Sequence, residues 1–289
     1  MSKIIVGHEK QKKFLNKIDL KKMHQSWIFF GKKGIGKYST LFSFLKNSVG
    51  IINNLNKVYE LSCDNKTSVD DIRELIKHTF LTNTEENDKN FVIIDNADLL
   101  NFNSFNALLK TLEEPPKDTI IILILENIKK LPKTIISRCN LLKFNDLSVD
   151  DLLEFSKRNE LNIDKNFILE NEYLIKGSIS RLTAILTKEC ITLIEKTKEL
   201  LDCQTFKINE MEILFALISK NISENYYIVI DIIYYRIKRL LISNFNDYNY
   251  TKQTFKLLKF IKNIHIENNQ ADLKNQLLIF FVEYFKIKK

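Results

Sequence analysis

Trp27-Ile28-Phe29-Phe30-Gly31-Lys32-Lys33-Gly34-Ile35-Gly36-Lys37 is the stretch on which the fold turns. An apolar run rich in β-formers leads into a turn that holds three of the chain's 6 glycines, and a helical pattern, Tyr38–Lys46, follows. Glycine permits positive φ and close backbone approach, so its concentration here reflects geometry. Strand, glycine turn, lysine and helix in that order point backbone N–H groups at phosphate oxygens, which the lysine neutralises. The position after Lys37, where Ser or Thr would hold Mg²⁺, is Tyr38. Ser39 cannot stand in, because one step along a helix turns a side chain by about 100°.

Outward from this loop, short β-rich runs alternate with helical patterns. The predicted strands are Trp27–Phe30, Val58–Leu61, Phe91–Ile94, Ile120–Leu125 and Leu141–Phe144, with helices over Tyr38–Lys46, Val69–Thr79 and Ser104–Glu113 between them. Pro115 and Pro116 forbid continuation of the last helix. The alternation predicts an α/β domain, a parallel sheet flanked by helices, over residues 1–146. Beyond Asp146 the strand signals vanish. Ser148 reads as an N-cap, with Asp150 and Asp151 in the first turn, opening a small helical lid over 147–190. Long amphipathic segments over 191–289 read as an all-helical C-terminal collar.

With 289 residues and 45% hydrophobic content the chain can bury a sizeable core in two or three domains. The net charge of +8 fits nearby nucleic acid or a solvated lysine surface. The basic stretch Lys10, Lys12, Lys13, Lys17, Lys21 and Lys22 is read as a solvated helix face. Cys63, Cys139, Cys190 and Cys203 are too scattered for a zinc ribbon, and no secretory leader is visible, so a reduced, cytoplasmic protein is expected. His8, His24, His78 and His265 show no ligand spacing, and no metal site is expected. Tyr226–Tyr235 is interrupted by Asp231 and falls far short of the roughly 20 residues a membrane span requires. It and the aromatic segment Phe280–Phe285 are expected in the core and at subunit contacts.

Phe91-Val92-Ile93-Ile94-Asp95 is an apolar strand ending in a carboxylate, an arrangement that presents Asp95 to a metal beside phosphates. Asn96 follows, and a neutral amide cannot accept a proton from an attacking water.

Two longer runs sharpen the reading. Asn106-Ala107-Leu108-Leu109-Lys110-Thr111-Leu112-Glu113-Glu114-Pro115-Pro116, followed by Leu131-Pro132-Lys133-Thr134-Ile135-Ile136-Ser137-Arg138-Cys139, resembles the clamp-loader branch of AAA+ proteins of the bacterial DNA polymerase III type. Val6-Gly7-His8-Glu9 and Asp70-Asp71-Ile72-Arg73-Glu74-Leu75 fit the same pattern. The resemblance covers about residues 1 to 190. It implies an arginine finger, Arg138, that reaches a neighbouring subunit's ATP, and a sensor-2 arginine, Arg181, after Gly177-Ser178-Ile179-Ser180. It also implies nucleotide contacts from Gly31, Gly34, Gly36, Lys37 and Asp95. Several positions depart from the pattern. Tyr38 replaces Ser or Thr, Asn96 replaces Glu, Glu126 stands where sensor 1 has Thr or Ser, and the four-cysteine zinc module is missing.

An intact finger beside a faulty phosphate site is similar to the delta-prime type of clamp-loader subunit. That type implies gamma/tau motor and delta subunits, the sliding clamp and primed DNA as partners, and no membrane. No cofactor is required, ATP or ADP binding is expected to be weak, and intrinsic hydrolysis is not expected. The alternatives are a hydrolysing AAA+ ATPase, either a motor subunit or a DNA-repair relative, and more distantly a phosphotransferase.

Overall fold

The computed structural model describes residues 5–19, 22–49, 58–64, 66–81, 89–262 and 270–288. Lys21 and His265 lie outside them. Five strands, β1 (Ser26–Phe30), β2 (Val58–Ser62), β3 (Asn90–Asp95), β4 (Thr119–Leu125) and β5 (Asn140–Lys143), form one sheet in the order β2-β3-β4-β1-β5. Every pairing is parallel. Each strand expected from the sequence is present, displaced by at most a residue or two at its ends.

Side-chain parity explains the apolar runs Trp27–Phe30, Phe91–Ile94 and Ile120–Leu125 of the central strands. Successive residues of a strand point to opposite faces, and a parallel sheet covered by helices buries both. Phe29, Phe91, Ile93, Ile120, Ile122 and Ile124 join one core with Leu15 of α1 (Glu9–Asn16) and Leu41, Phe44 and Leu45 of α2 (Lys37–Val49). The intervening residues Ile28, Val92, Ile94, Ile121, Leu123 and Leu125 join the other. There they meet Ile72 of α3 (Val69–Leu81), Phe105, Leu108 and Leu112 of α4 (Phe102–Glu113), and Ile135 of α5 (Lys133–Ile136). Asn101 caps α4 by accepting from Ser104 N at 2.9 Å. The helix ends at Glu113, two residues before Pro115.

The chain divides into two compact units, Met1–Leu169 with Gly177–Ser180, and Glu170–Lys176 with Arg181–Lys289. In the first, α6 (Val149–Arg158) starts where Ser148 predicts, with a reciprocal capping box. Asp151 N donates to Ser148 Oγ at 3.1 Å, and Ser148 N to Asp151 Oδ2 at 2.9 Å. The chain passes through α7 (Lys165–Glu170), α8 (Glu172–Ile175) and α9 (Ile179–Ile185) at the division.

The second unit is helical: α10 (Lys188–Asp202), α11 (Ile208–Ser219), α12 (Ile222–Ser243), α13 (Tyr248–Lys262) and α14 (Gln270–Lys288). Its axis is α12, which packs on α8, α10, α11 and α13. Tyr226, Val229, Ile233, Phe280 and Phe281 are buried, as the aromatic segments lead one to expect. No helix among the described residues is long and apolar enough to cross a membrane.

Trp27, the chain's single tryptophan, is 4% exposed in β1 and reports on the first unit. Phe29→Ala removes a fully buried ring from the same strand. It is expected to destabilise this unit by about 3–5 kcal/mol, read as a lowered urea midpoint in Trp27 fluorescence.

Candidate functional site

The glycine turn leaves the C-terminal end of β1 and enters α2 directly at Lys37. Gly34 has φ 72°, and a Cβ there would sit 2.2 Å from Ser180 Oγ. Gly31 would place a Cβ 2.4 Å from the Phe144 carbonyl oxygen. Neither position tolerates a side chain. Three fastenings hold the turn. Ser178 Oγ donates to Lys33 O at 2.9 Å, and Ile179 N donates to Gly34 O at 3.0 Å. His8 Nε2 bonds Ile35 O at 2.6 Å. A carbonyl only accepts, so Nε2 carries the proton. Burial pulls the His8 pKa below the ordinary imidazole value, while the bond to Ile35 and the Asp151 carboxylate oppose that shift.

Lys37 is 7% exposed. Its ammonium donates to Gly31 O at 2.6 Å and Lys32 O at 2.7 Å. Burial lowers its pKa, and the negative charges of Glu126, Asp95 and Asp98 counter the shift. These carboxylates come from the C-terminal ends of β3 and β4 and the short 3₁₀ turn Ala97–Leu99. A loop of glycine backbone, a buried ammonium and a helix N-terminus is a cradle for phosphate.

Tyr38 and Asn96 border this cradle. Tyr38 points its phenol at Glu60 of β2, donating to Oε2 at 2.8 Å, and stacks on Phe42. Burial, with the bond to Glu60 and its charge, pushes the Tyr38 pKa up to about 12, so the phenol stays neutral. Asp95 Oδ1 accepts from Asn96 N at 2.9 Å. Asn96 has φ 53°, a conformation that Asn adopts more readily than most residues.

Arg138 lies elsewhere. β5 pairs with β1 in parallel, Trp27 opposite Asn140, so Arg138, two residues before β5, sits at the N-terminal edge of the sheet. The length of β1, about 16 Å at strand rise, separates it from the phosphate loop. Arg138 Nε donates to Glu113 Oε1 at 2.7 Å, and NH1 donates to Thr134 O at 2.7 Å. A second guanidinium nitrogen also pairs with Glu113. The two family-like runs are thereby joined, because Glu113 ends α4 and Arg138 follows α5. Burial pushes the neighbouring Cys139 thiol up to about 12, which leaves it protonated and unreactive.

Gly31, Gly34, Gly36, Lys37 and Asp95 are therefore gathered at one end of the sheet, and Arg138 is held at the other. Arg181 belongs to the second unit, where NH1 donates to Asp231 Oδ2 at 2.7 Å and to Leu174 O at 3.1 Å. Lys176 Nζ shares the same carboxylate at 2.5 Å. His8, which shows no ligand spacing in the sequence, fastens the turn, and no sequence signal pairs Ser178 with Lys33 or Glu113 with Arg138.

Residues 52–148 match the family described as DNA polymerase III, delta subunit. The chain is 34% identical over 161 residues to the DNA polymerase III subunit gamma of Buchnera aphidicola from Schizaphis graminum, covering 49% of this chain and 44% of that protein. It is 26% identical over 240 residues to the gamma/tau subunit of Mycoplasma genitalium, covering 75% of this chain and 38% of the other. The chain thus spans less than half the length of these two relatives. Among solved structures, a gamma subunit-related protein of Thermotoga maritima superposes with a TM-score of 0.54 at 18% identity, over 96% of this chain and 100% of that one. That likeness establishes a shared fold. By sequence the chain is similar to DNA polymerase III gamma and tau subunits over about half its length, and residues 52–148 are similar to the delta-subunit family.

His8 ties the turn to pH. Its native pKa is lowered, so its contribution to stability is complete above the ordinary imidazole value of 6.5 and is lost as pH falls through the native one. The urea midpoint of the Trp27 signal is expected to fall between about pH 7 and pH 5, and to fall less in His8→Asn.

Proposed function

We propose that this chain works as a delta-prime-type clamp-loader subunit, lending Arg138 to the ATP of an adjacent gamma/tau motor subunit while turning over none itself. The observation that carries the reading is the sheet polarity. Arg138 is held a sheet's length from the phosphate loop of its own chain, out of reach of any triphosphate bound there. A planar, permanently charged guanidinium bridges two phosphate oxygens and stabilises the charge that develops as the γ-phosphoryl group leaves. Glu113 keeps the group extended and oriented until phosphates replace the carboxylate. In this reading the other partners are the delta subunit, the sliding clamp, and primed DNA engaged through the complex.

Tyr38 and Asn96 support the second half of the proposal. The Tyr38 phenol is committed to Glu60, on the side of α2 that faces β2. The Asn96 amide cannot take a proton from water. The glycine cradle would still hold ATP or ADP weakly through Gly31, Gly34, Gly36 and Lys37, with Asp95 as a further contact.

A hydrolysing ATPase is the second reading. It is favoured by the gamma and tau identity of the relatives and by a loop already shaped for phosphate.

Phosphate release by the purified chain separates the two. The unmodified chain is expected to show no magnesium-dependent turnover above background, and Tyr38→Thr with Asn96→Glu to gain a measurable rate. Brisk turnover by the unmodified chain supports the motor reading and overturns ours.

A further inference from the structure

The helix α13 carries a stripe that the clamp-loader reading leaves unused. Tyr248, Lys252, Phe255 and Lys259 recur at intervals of four, three and four residues, which places them on one face along about 17 Å of helix. The opposite face is buried through Thr254, Leu257, Leu258 and Ile261. On the outer face Tyr248 is 75% exposed and Phe255 50%. The lysine ammoniums lie over these rings, Lys252 at 5.9 Å from the Tyr248 centroid and Lys259 at 5.2 Å from that of Phe255. With Lys256 and Lys262 the helix carries four cations and no carboxylate.

A solvated helix face accounts for the lysines but not for large aromatic rings left in water among them. Rings interleaved with cations provide stacking surfaces along a track of positive charge, which is how unpaired bases and their phosphates are held together. Duplex bases are already stacked and cannot reach such rings, and an acidic peptide would use only the charges.

We propose that the outer face of α13 is a binding ridge for single-stranded nucleic acid, with Tyr248 and Phe255 stacking bases and Lys252, Lys256 and Lys259 neutralising phosphates. The ridge uses no residue of the phosphate loop and does not involve Arg138, and it stands whether or not either assignment holds.

Fluorescence anisotropy of the full chain with short labelled thymidine and uridine homopolymers tests the ridge, and the tighter of the two identifies the natural strand. Tyr248→Ala with Phe255→Ala is expected to weaken binding about tenfold or more. Replacing Lys252, Lys256 and Lys259 by Gln is expected to flatten the salt dependence by about 2 in log–log slope. A control removing the same charge from α1 and its C-cap, with Lys10, Lys13 and Lys17 changed to Gln, should leave both readings near those of the unmodified chain. The substituted positions are exposed, so thermal midpoints should stay unchanged. Three results would overturn the proposal: no binding of either strand, losses in the control equal to those in the ridge variants, or displacement by duplex DNA or polyglutamate as effective as by single strands.

Discussion

Parallel pairing of β1 with β4 on one side and β5 on the other is the constraint from which the functional layout follows. Because all five strands run the same way, whatever leaves their C-terminal ends collects at one edge of the sheet, the place where parallel sheets bind ligands. The glycine turn after β1, Asp95 at the end of β3 and Glu126 after β4 all arrive there. Arg138 precedes β5 and is carried to the other edge by the same rule. One sheet therefore presents a phosphate cradle at one end and a guanidinium at the other. The proposed role in completing a neighbour's site draws on this layout.

The cradle is built by mutual dependence. The Gly34 backbone must be left-handed and bare because Ser178, Ile179 and Ser180 press against the turn, and those contacts in turn fix where the turn can go. His8 closes the other side through Ile35. The buried ammonium of Lys37 is kept charged by its two carbonyls and by three carboxylates around it. Tyr38 fits this arrangement as a packing residue. Its ring stacks on Phe42 and its phenol satisfies Glu60.

Much of this could be read from residues in order. The strands were legible because β4 is apolar from Ile120 to Leu125 and β3 from Phe91 to Ile94, which a doubly covered sheet explains. The loop was legible because glycine is rare in this chain and clustered there. The cap at Ser148 and the stop before Pro115 follow from local chemistry that needs no tertiary context. Contacts between distant positions were not legible: His8 to Ile35, Arg138 to Glu113, and Arg181 to Asp231 are separated by 27, 25 and 50 residues. Each depends on packing that brings two helices or a helix and a turn together, and no periodicity encodes it. The stripe on α13 has the same origin. Its spacing is visible in sequence, but only burial of Leu257 and Leu258 shows which face is left outside.

The proposed function rests most heavily on Arg138 acting outside its own chain. The direct measurement is steady-state ATP hydrolysis by a complex of the proposed composition, this chain reconstituted with gamma/tau and delta subunits, sliding clamp and primed DNA, comparing Arg138→Ala with the unmodified chain. A fall of about a thousandfold at the dependent site, with assembly and ATP binding retained, is the predicted result. A complex that hydrolyses ATP at the same rate with and without the guanidinium would contradict it.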